Sequence, residues 1–137
     1  MNQTISIKLL CAVLTMIGLS CALAQSAGRS ISHAELKQVL AARADSVTIL
    51  DLRRSDDYDK DTVSMPGAIR LEPEQFANWG AGIAKDKEVV LFCAHGKSIS
   101  TKAIDQLNAI GVRARFVDGG FDAWKAAGGA VQDKPRQ

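Results

Sequence analysis

The segment Glu88-Val89-Val90-Leu91-Phe92-Cys93-Ala94-His95-Gly96-Lys97-Ser98 decides how this chain is read. Its first half is a short, almost continuous apolar run, the pattern of a strand covered on both faces. Its second half is polar and carries a glycine, so the strand ends in a tight loop. Behind the loop, Ala103, Ile104, Leu107 and Ile110 recur at helical spacing across residues 100–110, and Gly111 stops the helix. The order is strand, loop, helix. In open α/β sheets, binding sites form beyond the carboxyl ends of strands. Cys93 stands at such an end.

Reading outward, the same alternation recurs. Ile31-Ser32-His33-Ala34-Glu35 opens a helix, with Ser32 as cap and Glu35 placed to close a capping box. Leu36, Val39 and Leu40 supply its short apolar face. Val47-Thr48-Ile49-Leu50 reads as a buried strand ended by Asp51-Leu52-Arg53-Arg54, and residues 56–61 as a polar turn or short helix. Met65-Pro66-Gly67-Ala68-Ile69 is a turn leading into a very short strand, and Pro73 begins a helix bearing Phe76 and Trp79. Ala114-Arg115-Phe116-Val117 is a further strand. Gly119-Gly120 then turns the chain into a last helix with Phe121, Trp124 and Ala127. The polar residues 131–137 are expected to form a loose end. Strands alternating with helices predict an α/β domain, with a mostly parallel sheet of about five strands flanked by helices on both faces.

The N-terminus has a different character. Lys8 is the one charge before Arg29, an apolar stretch fills residues 9–23, and Ala22-Leu23-Ala24 matches an A-x-A cleavage site. Residues 1–24 are therefore expected to be an export signal, and residues 25–137 a single domain with its core in about residues 31–129. In a bacterium this places the mature protein in the periplasm, without stable membrane association once cleaved. An uncleaved anchor and lipidation at Cys21 are the competing readings; Gly18-Leu19-Ser20 is a poor lipidation signal.

Composition narrows the function. The 137 residues carry 17 Lys and Arg against 15 Asp and Glu, and loss of Lys8 leaves a near-neutral chain. No basic block alternates with aromatic residues, so nucleic acid is not an expected partner. Of three cysteines, Cys11 and Cys21 lie in the signal. The mature chain keeps only Cys93, which rules out an internal disulfide and a C-x-x-C exchange pair. No Cys/His cluster has metal-ligand spacing, so neither metal nor cofactor is expected.

The residues around Cys93 specify a chemistry. Gly96 lets the loop turn so that successive N–H groups form an anion-binding nest. The following helix adds its free N–H groups and its positive end. Such surroundings favour the thiolate, which is the nucleophile. Lys97 adds a positive charge and Ser98 a hydroxyl donor. The expected site is Cys93 as nucleophile, with Ala94, His95, Gly96, Lys97 and Ser98 binding a small oxyanion such as thiosulfate, another sulfur oxyanion, phosphate or arsenate. His95 is expected to point outward from the loop, and His33 to be solvated.

With these residues in view, the chain resembles the single-domain rhodaneses, which are sulfurtransferases, over residues 31–129. Cys93-Ala94-His95-Gly96-Lys97-Ser98 resembles the family's catalytic loop. Asp51-Leu52-Arg53 resembles its D-x-R stretch, and Asp57-Tyr58 the acidic and aromatic pair that follows. Met65-Pro66-Gly67-Ala68-Ile69 resembles I-P-G-A-x, and Val117-Asp118-Gly119-Gly120-Phe121-Asp122-Ala123-Trp124 resembles L-x-G-G-x-x-x-W. The exported, one-domain form is similar to the periplasmic rhodaneses of bacteria. Two positions depart from the family pattern: Ser64 stands where histidine is frequent, and Ser98 where many members have arginine.

The resemblance implies a rhodanese-like fold and double displacement at Cys93. The thiolate takes the sulfane sulfur of a donor such as thiosulfate, sulfite leaves, and cyanide or a thiol removes the sulfur from the persulfide. The implied partners are a small sulfur-containing anion and a small nucleophile or thiol, which a partner protein can supply. Lys97 would hold the sulfonate end of the donor. Asp51, Arg53 and Asp57 are expected to give structural support, Asp51 by bonding nearby backbone and Arg53 by pairing with Asp57. A cysteine phosphatase or arsenate reductase needs arginine six residues after the cysteine. That position is Ile99, and no arginine lies between Arg70 and Arg113. A non-catalytic rhodanese-like binding module is disfavoured because Cys93 and Gly96 are present.

Overall fold

The computed structural model of the protein describes residues 28–135. The expected export signal in residues 1–24, with Cys11 and Cys21, lies outside them. The chain runs β1 (Ser30–Ile31), α1 (His33–Arg43), β2 (Val47–Asp51), α2 (Ser55–Lys60), β3 (Val63–Ser64), β4 (Ile69–Arg70) and α3 (Phe76–Trp79). It continues as β5 (Glu88–Phe92), α4 (Ser98–Ala109), β6 (Ala114–Val117), α5 (Gly120–Ala126) and β7 (Gln132–Asp133). Five strands form a parallel sheet in the order β1-β6-β5-β2-β4. This is the α/β architecture expected from the alternation of strands and helices.

Alternation along the central strands divides the core between two faces. Val90 and Phe92 of β5, with Val47 and Ile49 of β2, pack with Leu36 of α1 and with Phe121 and Trp124 of α5. Val89 and Leu91, with Leu50 and Leu52, pack with Ala103, Ile104 and Leu107 of α4. Phe76 and Trp79 lie against this second cluster. Strand β2 is in register with β5 from Val47 opposite Glu88 to Asp51 opposite Phe92. The Leu52 N–H extends the ladder by donating to the Phe92 carbonyl at 2.8 Å.

The connections diverge between these two strands. After β2 the chain moves out to β4, whereas after β5 it moves out to β6 on the other side. The crevice between the carboxyl ends of β2 and β5 is thus the topological switch point, where such sheets bind ligands. Asp51 and Cys93 stand on its two sides.

Several local expectations are corrected. Ser32 Oγ accepts from the Glu35 N–H at 3.2 Å, but the Glu35 carboxylate does not close the box. It is drawn to Arg115 on β6, at 2.6 Å, and Arg115 also binds Glu88 at 2.5 Å. Burial works against the Arg115 charge, and these two carboxylates outweigh it, raising the guanidinium above its ordinary range. His33 is not simply solvated: its Nε2 lies 2.6 Å from the Asp118 carbonyl, and its ring meets Trp124 edge-on. Residues 132–134 of the C-terminal tail are not loose. Gln132 and Asp133 pair antiparallel with Ser64 and Val63, and the Lys134 N–H donates to Thr62 at 3.0 Å.

Arg53 does not pair with Asp57. It is 1% exposed and reaches Asp51 with Nε and Nη2, the closest approach being 2.5 Å. Asp61 lies 3.4 Å away, and the Val63 carbonyl 3.2 Å. Residues 53–57 span the entry into α2 rather than a helix interior, so spacing of four does not bring the two side chains to one face. Asp57 instead approaches Lys60, at 3.9 Å.

The cysteine loop is seated on the two glycines that open α5. Gly119 and Gly120 have φ of +67° and +70°. The N–H groups of Phe121 and Asp122 donate to the carbonyls of Cys93 and Ala94 at 2.9 and 3.1 Å. A Cβ on Gly120 would meet those same carbonyl oxygens at 2.5 and 2.6 Å.

Two outcomes follow from these contacts. Gly120→Ala combines a left-handed backbone with a backbone collision and should destabilise the protein by about 1–3 kcal/mol or more; an unchanged urea midpoint would show that the loop does not rest there. Asp61 is the second case. Burial pushes its carboxyl up, but the hydrogen bonds from Lys125 and the Val63 N–H, with the charges of Lys125 and Arg53, bring it below the usual range. The unfolded chain therefore takes up this proton more readily than the native one. The stabilisation is complete above about pH 4 and lost as pH falls through the native value. Asp61→Asn should lower stability near neutrality and flatten its decline in acid; urea melts across that window measure both.

Candidate active site

Cys93 follows the last residue of β5 and is 5% exposed. Continuing the strand alternation from Val89 and Leu91 directs it toward the face that carries α4. There Ser100 Oγ donates to its Sγ at 3.1 Å. Cys93 is the one free cysteine among the described residues.

The predicted loop residues occupy distinct places. Ala94 is buried and gives its carbonyl to α5. His95 is 65% exposed at its side chain, with Nδ1 3.1 Å from the Asp122 carboxylate. Gly96 has φ +65°, and a Cβ there would meet the Gly120 nitrogen at 2.6 Å. Lys97 has a backbone that is neither helical nor extended, φ −112° and ψ −136°, and its exposed side chain stands at the N-cap of α4. Its carbonyl receives the Thr101 N–H at 3.1 Å. Ser98 is the first residue of α4 and is exposed.

The backbone here is rich in free donors. Among the described residues, no group accepts from the N–H of Ala94, His95, Gly96, Lys97 or Ser98. The first N–H groups of α4 add to this set, because helix geometry gives them no internal acceptor. A loop with one left-handed glycine, unpaired amides and a helix start is suited to an anion.

Two cavities flank the loop. One, of about 300 Å³, is lined by Ala94, His95, Phe121, Asp57, Lys60 and Lys125, with further acidic groups at Asp61 and Asp122. The other, of about 190 Å³, is lined by Ser98 and Ile99 with Arg54, Lys102 and Glu74. A third cavity, about 450 Å³, lies among Arg43, Glu88, Arg113 and Arg115 at the amino ends of β5 and β6. It is at the wrong end of the sheet for Cys93, so its size does not bear on the thiol.

The supporting residues form one buried unit below the loop. Asp51 takes the Arg53 N–H at 3.2 Å, the Arg53 guanidinium and the Ser64 hydroxyl at 2.8 Å. Ser64, one of the two positions at which the chain departs from the family pattern, thus adds a further donor to Asp51 Oδ2, which Arg53 Nη2 already binds. Arg53 Cζ lies 4.3 Å from the Phe121 ring centroid, 5.0 Å from Tyr58 and 5.7 Å from Phe92. Asp57 lines the larger flanking cavity and takes no part in this unit.

Ser100 was not legible as a site residue from the cysteine loop alone. Its signal lies in the helix pattern. Stepping back seven residues from Leu107 along the buried stripe lands on a serine.

Comparison with known proteins agrees with this geometry. The profile of the rhodanese-like domain matches residues 32–127. The thiosulfate sulfurtransferase GlpE of Shewanella oneidensis is 31% identical over 100 residues, 72% of this chain and 96% of that one. GlpE of Coxiella burnetii is 29% identical over 100 residues, covering 72% and 88%. Among solved structures, a rhodanese-like domain protein from Staphylococcus aureus has 27% identity and a TM-score of 0.64, covering 78% of this chain and 99% of that one. A rhodanese-related protein from Thermoplasma volcanium has 26% identity and a TM-score of 0.65, covering 76% and 97%. The chain belongs to the rhodanese-like domain family.

Proposed function

We propose that this protein is a thiosulfate sulfurtransferase that carries sulfane sulfur as a persulfide on Cys93. One observation carries the reading. A free cysteine stands at the sheet's switch point, in a loop whose N–H groups have no acceptor among the described residues. The relatives named as thiosulfate sulfurtransferases support it.

The Cys93 thiolate attacks the outer sulfur of thiosulfate. An Sγ–S bond forms, the sulfur–sulfonate bond breaks, and its electron pair leaves on sulfite. The loop amides stabilise the anionic donor and the persulfide. Lys97 attracts the sulfonate end. Cyanide or a thiolate, free or on a partner protein, then takes the terminal sulfur and releases the Cys93 thiolate. Covalent catalysis replaces one difficult transfer by two easier ones. With no second cysteine among residues 25–137, the persulfide has no internal thiol to discharge it. Ile99 in the arginine position of cysteine phosphatases argues against phosphate as the substrate.

The N-terminal pattern supports export to a periplasm with cleavage after Ala24. Intact mass of protein recovered from fractionated cells tests this; retention of residues 1–24, or a lipid on Cys21, would overturn it.

Mass spectrometry after thiosulfate treatment tests the activity. Cys93 should gain one sulfur atom, and cyanide should remove it. A reduced, alkylatable Cys93 that gains nothing would refute the reading. Cys93→Ser should abolish transfer while leaving thermal unfolding nearly unchanged. Lys97→Ala should raise the KM for thiosulfate about two- to fivefold, as for an exposed charge, with a smaller effect on kcat. That difference should shrink at high salt.

A further inference from the structure

Ser100 occupies a place that the packing of α4 reserves for an apolar side chain. The buried face of the helix consists of Ser100, Ala103, Ile104 and Leu107, the spacing of a core-facing stripe. Three of these are apolar. Ser100 is not, and it is 0% exposed. A buried hydroxyl requires a partner. A serine within a helix ordinarily returns its hydrogen to the carbonyl one turn back. Ser100 gives it to Cys93 Sγ, its one partner among the described side-chain hydrogen bonds. A neutral thiol is a weak acceptor, whereas a thiolate accepts strongly. The stripe thus gives up an apolar contact for a bond whose full strength requires charge on sulfur.

We propose that Ser100 is a catalytic residue that holds Cys93 as a thiolate and stabilises it again as the leaving group when the persulfide is unloaded. The thiolate half of this stands on the geometry alone; the unloading half rests on the sulfurtransferase reading above.

The two half-reactions use the bond differently. In loading, the hydroxyl increases the thiolate fraction but draws charge away from Sγ, and these effects partly cancel. In unloading, the carbon of cyanide bonds to the terminal sulfur, the Sγ–S bond breaks, and its electron pair returns to Sγ. Thiocyanate departs, and no proton is needed. Charge now develops on the atom that Ser100 contacts, and a stabilised leaving thiolate departs faster. Ser100 should therefore contribute more to discharge than to loading.

Ser100→Ala removes the hydroxyl and makes the stripe continuous, so thermal unfolding should occur at or above the wild-type temperature. Iodoacetamide should alkylate the variant's Cys93 about tenfold more slowly than wild type near pH 6, and no more slowly near pH 10, above the range in which free thiols ordinarily ionise. Protein preloaded with thiosulfate and freed of donor should discharge to cyanide about tenfold more slowly in a single turnover. Ser100→Thr keeps the hydroxyl and should retain wild-type alkylation near pH 6. Wild-type alkylation of Ser100→Ala at both pH values would overturn the proposal. So would a loss in Ser100→Thr equal to that in Ser100→Ala, since packing would then set the reactivity. If the wild type takes no sulfur from thiosulfate while Ser100→Ala still loses alkylation near pH 6, the donor reading and the unloading half fail, and the hold of Ser100 on the thiolate stands.

Discussion

The buried charge of Arg53 constrains everything around the site. A guanidinium that is 1% exposed must find its solvation in protein. Asp51 supplies the counter-charge, Asp61 and the Val63 carbonyl add acceptors, and Phe121, Tyr58 and Phe92 offer ring faces within 6 Å. These partners come from β2, α2, β3, β5 and α5 or from residues adjoining them. Such a pair is weak evidence for added stability, because desolvation opposes the attraction. Its value here is specification. Each element must sit where it can serve the guanidinium, and a misplaced one leaves a buried charge without a partner.

That constraint reaches the nucleophile by a short route. Phe121 rests on Arg53 through its ring and holds the Cys93 carbonyl through its N–H. The backbone of the cysteine loop is thereby referred to the end of β2 without any direct contact between Arg53 and the thiol. The double glycine makes this possible, since any side chain at Gly120 would separate α5 from the loop. The free donors of the loop are backbone groups, whose directions follow from the seating of the loop and would cost little to reorganise if charge moved beside them.

The parts of this arrangement legible in the sequence are those fixed by local pattern. The apolar run of β5, the helical spacing of α4 and the Pro66-Gly67 turn each reflect steric or burial demands that act within a few residues. What was not legible depends on distant partners. Arg53 sits four residues from Asp57, but its carboxylates are Asp51, the last residue of β2, and Asp61, just past the end of α2. Glu35 sits where a capping box needs it, yet Arg115, 80 residues away, competes successfully. The pairing of β3 with β7 joins two-residue strands that carry no strand signal of their own. Ser100 is intermediate: the stripe that should have been apolar announces it, but only once its register is continued past the first obvious residue.

The ladder between β3 and β7 gives the C-terminal segment a role in hydration. Strand β3 contributes the Val63 carbonyl and the Ser64 hydroxyl to the Arg53 and Asp51 unit, and its outer edge is covered by Gln132 and Asp133. Lys134 adds bonds to Thr62 and Tyr58, beside the same guanidinium. Two-residue strands open readily, and each opening uncovers backbone that borders a buried charge. Residues more than 35 positions beyond Cys93 in the chain therefore cover one edge of the support on which the cysteine loop rests.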